Sequence, residues 1–190
     1  MLAQLTRSIE ERELIDADRS TRAANYAQCL ADGLHWSKDR SEEVSLAAIL
    51  SNLGKLDVPD DVLKKQGPLS PQEMEQMKRC PTTAAKFLKP AKLLQRVGPI
   101  LEAYREHWDG SGYPNGLKGE DIPVEARVVA LVDDFITMTT DRPNRKRLSQ
   151  EEAINIIQDK AGKEYDPRLV KIFISMLKRE KQMQGKVAAK

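Results

Sequence analysis

The sequence predicts an all-α helical bundle with two long loops, at roughly 54–69 and 109–122. Three observations predict it. Apolar residues recur at helical spacing along nearly the whole chain, helix-capping patterns punctuate it, and no run alternates apolar and polar residues for long enough to make a strand. At 190 residues, the chain has the length of one domain and can bury a sizeable core.

The elements follow in order. LAQLTRSIEERELI places Leu2, Leu5 and Ile9 on one face, so residues 1–17 read as an N-terminal helix that connects, dimerises or packs on the bundle. Glu42 to Leu53 carries Val44, Ala47, Ala48 and Leu50 or Ser51 on one face, with Gly54 as the expected stop. Ser70-Pro71-Gln72-Glu73 is a capping box with Pro at the first helical position, opening a helix through Met77. Ser149 and Glu152 repeat the box before AINIIQDKA, which Gly162 ends. Asp166-Pro167 opens a last helix with Leu169, Val170, Ile172, Phe173 and Met176 as its buried stripe. The bundle is expected over 18–177, and the polar, lysine-rich residues 178–190 read as a frayed tail.

Charge and composition exclude several classes of function. Thirty-one basic residues stand against 29 acidic ones and are interleaved with them, so neither nucleic acid nor an anionic membrane is expected as a partner. No apolar run approaches the ~18 residues of a membrane span, and the charged opening is not a signal peptide. Cys29 and Cys80 lie too far apart in sequence to suggest a disulfide framework, which points to a cytoplasmic protein.

Metal-ligating residues are scarce. His35, in GLHWS at an expected helix end, reads as a packing or capping residue, and His107 flanks a loop. Neither has a His or Cys at ligand spacing. Asp60-Asp61 and Asp133-Asp134 are the acidic pairs that could matter, with solvated charge as the default for both. No cofactor is expected. REHWDGSGYPNG concentrates Trp108, Tyr113, Pro114 and three glycines in one loop. Gly110, Gly112 and Gly116 allow backbone conformations closed to other residues, and Tyr113-Pro114 stiffens the tip, which should face outward.

From about Asp18 to Phe173 the chain resembles an HD-GYP domain, the cyclic-di-GMP phosphodiesterase family within the HD metal-dependent phosphohydrolases. The resemblance rests on WDGSGYPNGLKGEDIPVEARVVALVDDF, on LGKLDVPDDVLKKQGPLSPQEMEQM, and on TTDRPNR followed by Tyr165-Asp166-Pro167. It implies a helical bundle with a long GYP loop, and a metal centre of histidines and aspartates. At the family's metal-binding histidines this sequence carries Arg19, Ser51, Cys80, Tyr104 and Arg105, and its His-Asp aspartate is Asn52. Asp133 alone keeps a metal-binding acid, and the acid usual three residues later is Ile136. The resemblance therefore implies a domain without the family's metals or catalytic residues, in which Arg19 and Arg105 come near Asp133 and pair with it.

What the resemblance leaves is a recognition surface. Lys55, Arg142 and Arg145 match basic residues that in the family can meet the nucleotide's phosphates, and Asp109, Gly110, Gly112, Tyr113 and Pro114 form the GYP face. Three functions are open: an inactive module of cyclic-di-GMP signalling that docks a protein such as a GGDEF-type cyclase; a cyclic-di-GMP-binding sensor that does not hydrolyse; and a residual phosphodiesterase with unconventional ligands. A homodimer is compatible with all three.

Overall fold

Helix α8, Val124–Met138, is apolar almost all round its circumference, and such a helix must sit at the centre of a bundle. In the computed structural model, which describes residues 2–13, 18–141 and 145–188, it does: Ala126, Val128, Val129, Leu131, Val132, Phe135 and Ile136 are all buried. Around it stand α1 (Leu2–Arg12), α2 (Arg19–Gly33), α3 (Lys38–Leu50), α4 (Asp60–Leu63), α5 (Pro71–Lys78), α6 (Cys80–Leu88), α7 (Val97–Ala103), α9 (Gln150–Asp159) and α10 (Pro167–Ala188). No strand forms among the described residues, and none of their helices is long and apolar enough to cross a membrane.

Helix α2 packs chiefly on α3 and α8, while α7 bridges α3, α6 and α8. Tyr26, Phe135 and Phe173 join α2, α8 and α10 edge to face, with ring centroids 5.2–6.1 Å apart. Both capping boxes form, with the Ser70 and Ser149 hydroxyls accepting from the Glu73 and Glu152 amides. At the end of α2, His35 takes a left-handed φ of 56°, while its amide donates to Asp32 and the Trp36 amide donates to Ala31. That is a Schellman ending, so His35 is a capping residue.

Several expectations are corrected. The loop expected at 54–69 holds a 3-10 turn, Leu53–Asp57, and the short helix α4. Gly54 does not stop α3, which ends at Leu50; it lies inside that turn because α6 leaves no room for a side chain, a Cβ there falling 1.9 Å from the Cys80 carbonyl oxygen. In α10 the core side chains are Leu169, Val170, Phe173, Ile174 and Leu177, with Ile172 and Met176 only partly buried. The residues expected as a frayed tail continue α10 through Ala188.

The N-terminal helix is tied to the bundle. Ile9 is fully buried, and Arg12 donates to the Leu56 and Val58 carbonyls and to Asp60. Gly54→Ala should force α6 away from the Leu53–Asp57 turn and cost about 3 kcal/mol, the upper range for overpacking. Chemical denaturation would show it as a lower midpoint at unchanged slope.

Candidate functional site

The site is built around one carboxylate. Asp133 sits mid-way along α8, 2% exposed, where an unpaired charge would be very costly. Arg19, at the start of α2, is itself 1% exposed and donates from Nη2 to Asp133 Oδ1 at 2.5 Å. Arg105, partly exposed, donates from Nη2 to Oδ2 at 2.7 Å, and the Ser51 hydroxyl donates to Oδ1 at 3.0 Å. Burial alone would push the Asp133 carboxyl up, but the two guanidiniums outweigh it and hold the group well below the usual carboxylate range.

The network continues outward. Arg105 Nη1 donates to Asp134 at 3.1 Å, and the Tyr165 hydroxyl donates to the other Asp134 oxygen at 2.7 Å. Burial first, and Asp134 next, push the Tyr165 phenol far above its ordinary value. The Tyr104 hydroxyl turns the other way and donates to the Ser51 carbonyl at 2.9 Å. Asn52 is buried beside Ser51. Cys80 is a buried thiol packed with Val58 and Val62, its pKa pushed up by burial. Arg19, Ser51, Tyr104, Arg105 and Asp133 are thus joined directly. Among the described residues, no group of three or more His, Cys, Asp or Glu converges as metal ligands would.

The two described basic residues expected at a phosphate site are each engaged within the domain. Lys55 is 7% exposed and donates to Glu13 of the N-terminal segment at 2.6 Å. Arg145 is exposed and donates to the Thr137 carbonyl at 2.7 Å, and Arg142 lies outside the described residues.

The GYP loop is braced from within. Glu106 is buried and accepts from the Asn115 and Leu117 amides at 2.7 and 3.0 Å, holding both sides of the tip. Gly112 lies against the chain leading into the loop, where a Cβ would fall 2.2 Å from the His107 nitrogen. Trp108 and Asp109 donate their amides to the Glu164 and Lys163 carbonyls, fastening the loop to the turn before α10. Asp109, Ser111, Pro114, Asn115 and Gly116 face solvent, whereas Tyr113 is half-buried instead of outward, and its amide donates to the Arg105 carbonyl.

Sequence reasoning gave no role to Glu13, and met Glu106 and Tyr165 only as parts of matched motifs, because their partners lie far off or depend on the loop's own folding. It flagged Asp134 only as half of an acidic pair.

The family follows from this fold and from comparison with known proteins. A family model described as "HD domain" matches residues 5–169, and the chain belongs to that family. It is 35% identical over 171 residues to a cyclic di-GMP phosphodiesterase response regulator, RpfG, of Xanthomonas campestris pv. campestris, covering 89% of this chain and 45% of that protein. With a cyclic di-GMP phosphodiesterase of Thermotoga maritima the identity is 36% over 151 residues, 78% of this chain and 41% of the relative. The chain therefore spans less than half the length of these relatives. A solved cyclic GMP-AMP specific phosphodiesterase of V. cholerae superposes with a TM-score of 0.75 at 19% identity, over 97% of this chain and 49% of that one, which establishes the shared helical fold.

Replacing Asp133 with Ala should leave the Arg19 guanidinium buried without its counter-ion and destabilise the domain by about 3–5 kcal/mol. A melting temperature equal to the parent's would refute the pairing. The pH dependence has a definite sign. A carboxyl whose pKa is lower folded than unfolded adds stability that is complete above about pH 4 and is lost as pH falls further. Denaturation midpoints of the parent should accordingly drop more steeply below pH 4 than those of Asp133→Asn.

Proposed function

We propose that this chain is a non-hydrolysing HD-GYP domain of cyclic-di-GMP signalling, acting by protein interaction through its GYP face. The observation that carries the reading is the occupation of Asp133 by Arg19 and Arg105. The relatives' names make a phosphodiesterase chemistry the reference, and that chemistry in the HD family is metal-dependent.

The residues present do not fit a di-metal centre. The only carboxylate at the matched positions already has one guanidinium on each oxygen. Arginine carries its charge at all accessible pH values and has no lone pair to offer a cation. Ser51 and Asn52 are weak neutral donors, and Cys80 packs with Val58 and Val62. Two fixed positive charges also repel any metal approaching Asp133. Such a set of side chains supports no metal-dependent hydrolytic step.

Interaction through the GYP loop is supported by its construction. A loop whose tip is clamped by Glu106 and whose base is fastened to the turn before α10 presents Asp109, Pro114 and Asn115 in a fixed arrangement. A pre-organised surface loses little entropy on docking. A GGDEF-type cyclase is the candidate partner that the family resemblance offers. One observation favours a second reading, a cyclic-di-GMP-binding sensor: three cationic side chains, Arg19, Lys55 and Arg105, gather at the pocket, and a nucleotide's phosphates need such charge.

The test is calorimetric titration of cyclic-di-GMP into purified protein whose metal content has been assayed, together with a hydrolysis assay. Metal-free protein without turnover is the expected result. Nucleotide binding under those conditions selects the sensor, and its absence selects the docking module. Stoichiometric metal with turnover overturns both and makes the chain a phosphodiesterase with unconventional ligands.

A further inference from the structure

The N-terminal helix α1 crosses both walls of the cationic pocket, and its attachments there are polar. Glu10, 4% exposed, accepts from the backbone amide and hydroxyl of Ser20, next to Arg19 at the start of α2. Arg12 reaches the opposite wall, donating to carbonyls of the Leu53–Asp57 turn and of Val58 and to Asp60. Glu13, at the end of the helix, enters between them, and its carboxylate accepts from Lys55 Nζ at 2.6 Å with both side chains over 90% buried. Its charge also reaches Arg19 and Cys80, deeper in the same pocket.

A buried carboxylate on a lysine presents the same chemistry as a phosphate oxygen: anionic, acceptor-only and matched to an ammonium. We propose that Glu13 is a built-in occupant of an anion site, and that α1 is a strap which must lift its end for Lys55 to receive an external phosphate group. The proposal rests on the second reading above, in which these cations bind phosphate-bearing ligands, and it adds the regulation of that site. Lifting the strap exchanges one anion on Lys55 for another, so the buried cation is never left uncompensated. The exchange requires no change in the Arg19–Asp133–Arg105 set, which can stay closed while Lys55 changes partner.

The strap's construction suits it to release. Its described grips are hydrogen bonds and ion pairs together with the buried Ile9; an added phosphate can take over as acceptor from Glu10 at Ser20 and from Glu13 at Lys55, while the carbonyls and the Asp60 carboxylate that Arg12 holds return to water. A partner that draws α1 away would open the site in the same manner, coupling protein docking to ligand access.

The test compares the full chain with its Glu13→Gln variant, which keeps the side-chain shape and removes the charge. Two probes are titrated by calorimetry at low salt: inorganic pyrophosphate and cyclic-di-GMP. The variant should bind pyrophosphate about tenfold tighter than the parent, the scale expected when a competing buried charge is removed. Adding Lys55→Gln should abolish that gain. Equal affinity of parent and variant for pyrophosphate, including no binding by either, overturns the strap. A gain for pyrophosphate without nucleotide binding keeps the strap and removes the cyclic-di-GMP reading. Equal cyclic-di-GMP binding by both forms, with no gain for pyrophosphate, does the reverse. Should Glu13→Gln fail to fold, Arg12→Ala loosens the same strap from its exposed side and must raise pyrophosphate affinity by the same logic, or the proposal falls.

Discussion

A single buried carboxylate organises this molecule. Asp133 lies within a helix that is buried along most of its length, where an ion is tolerated only with full compensation. Compensation comes from two directions: Arg19 from the first residue of α2, and Arg105 from the segment leading into the GYP loop. These contacts fix the rotation of α2 against α8 and set the root of the loop at the pocket mouth. Ser51 adds a third tie from the end of α3, and Tyr104 adds a fourth through the Ser51 carbonyl. Elements distant in sequence thus meet at one charge, each with a polar group that would be left unsatisfied if the others moved.

The same charge links pocket and loop. Arg105 divides its guanidinium between Asp133 inside and Asp134 at the rim, and Asp134 is held in turn by Tyr165. Tyr165 belongs to the turn that receives the Trp108 and Asp109 amides. A continuous polar path therefore runs from the buried carboxylate, through the rim, to the base of the exposed tip. The loop's glycines and its buried Glu106 make that tip a rigid extension of the pocket.

Local features of this fold are legible in the sequence, and contacts between distant segments are not. The capping boxes at Ser70 and Ser149 are complete within four residues, so their sequence pattern suffices to find them. Gly54 is visible as a glycine, but its reason is the backbone of Cys80, brought there only by folding, and local pattern alone makes it a helix stop. Arg19 and Asp133 stand 114 residues apart, and no periodicity connects them. Only the ordered match to a known family places them together in advance. Glu13 matches no quoted motif, and Tyr165 matches one that says nothing of Asp134; the partners at Lys55 and Asp134 emerge solely from tertiary structure. Tyr113 defeats the expectation that a loop tip points wholly outward: it is half-buried, in a loop whose backbone folds back to hydrogen-bond the Arg105 carbonyl.

Charge balance explains how such a pocket keeps a polar interior. Arg19, Lys55 and Arg105 are answered by Asp133, Glu13 and Asp134, so the cluster is neutral as a set. A site that binds metal cations needs the opposite condition, an excess of carboxylates or thiolates over fixed positive charge. Guanidiniums on the matched positions remove that excess, because each carboxylate of the cluster is already neutralised. Arg105 and Asp134 remain partly open to solvent while Arg19 and Asp133 do not, so the charge that solutes can reach lies at the rim of the cluster, next to the root of the loop.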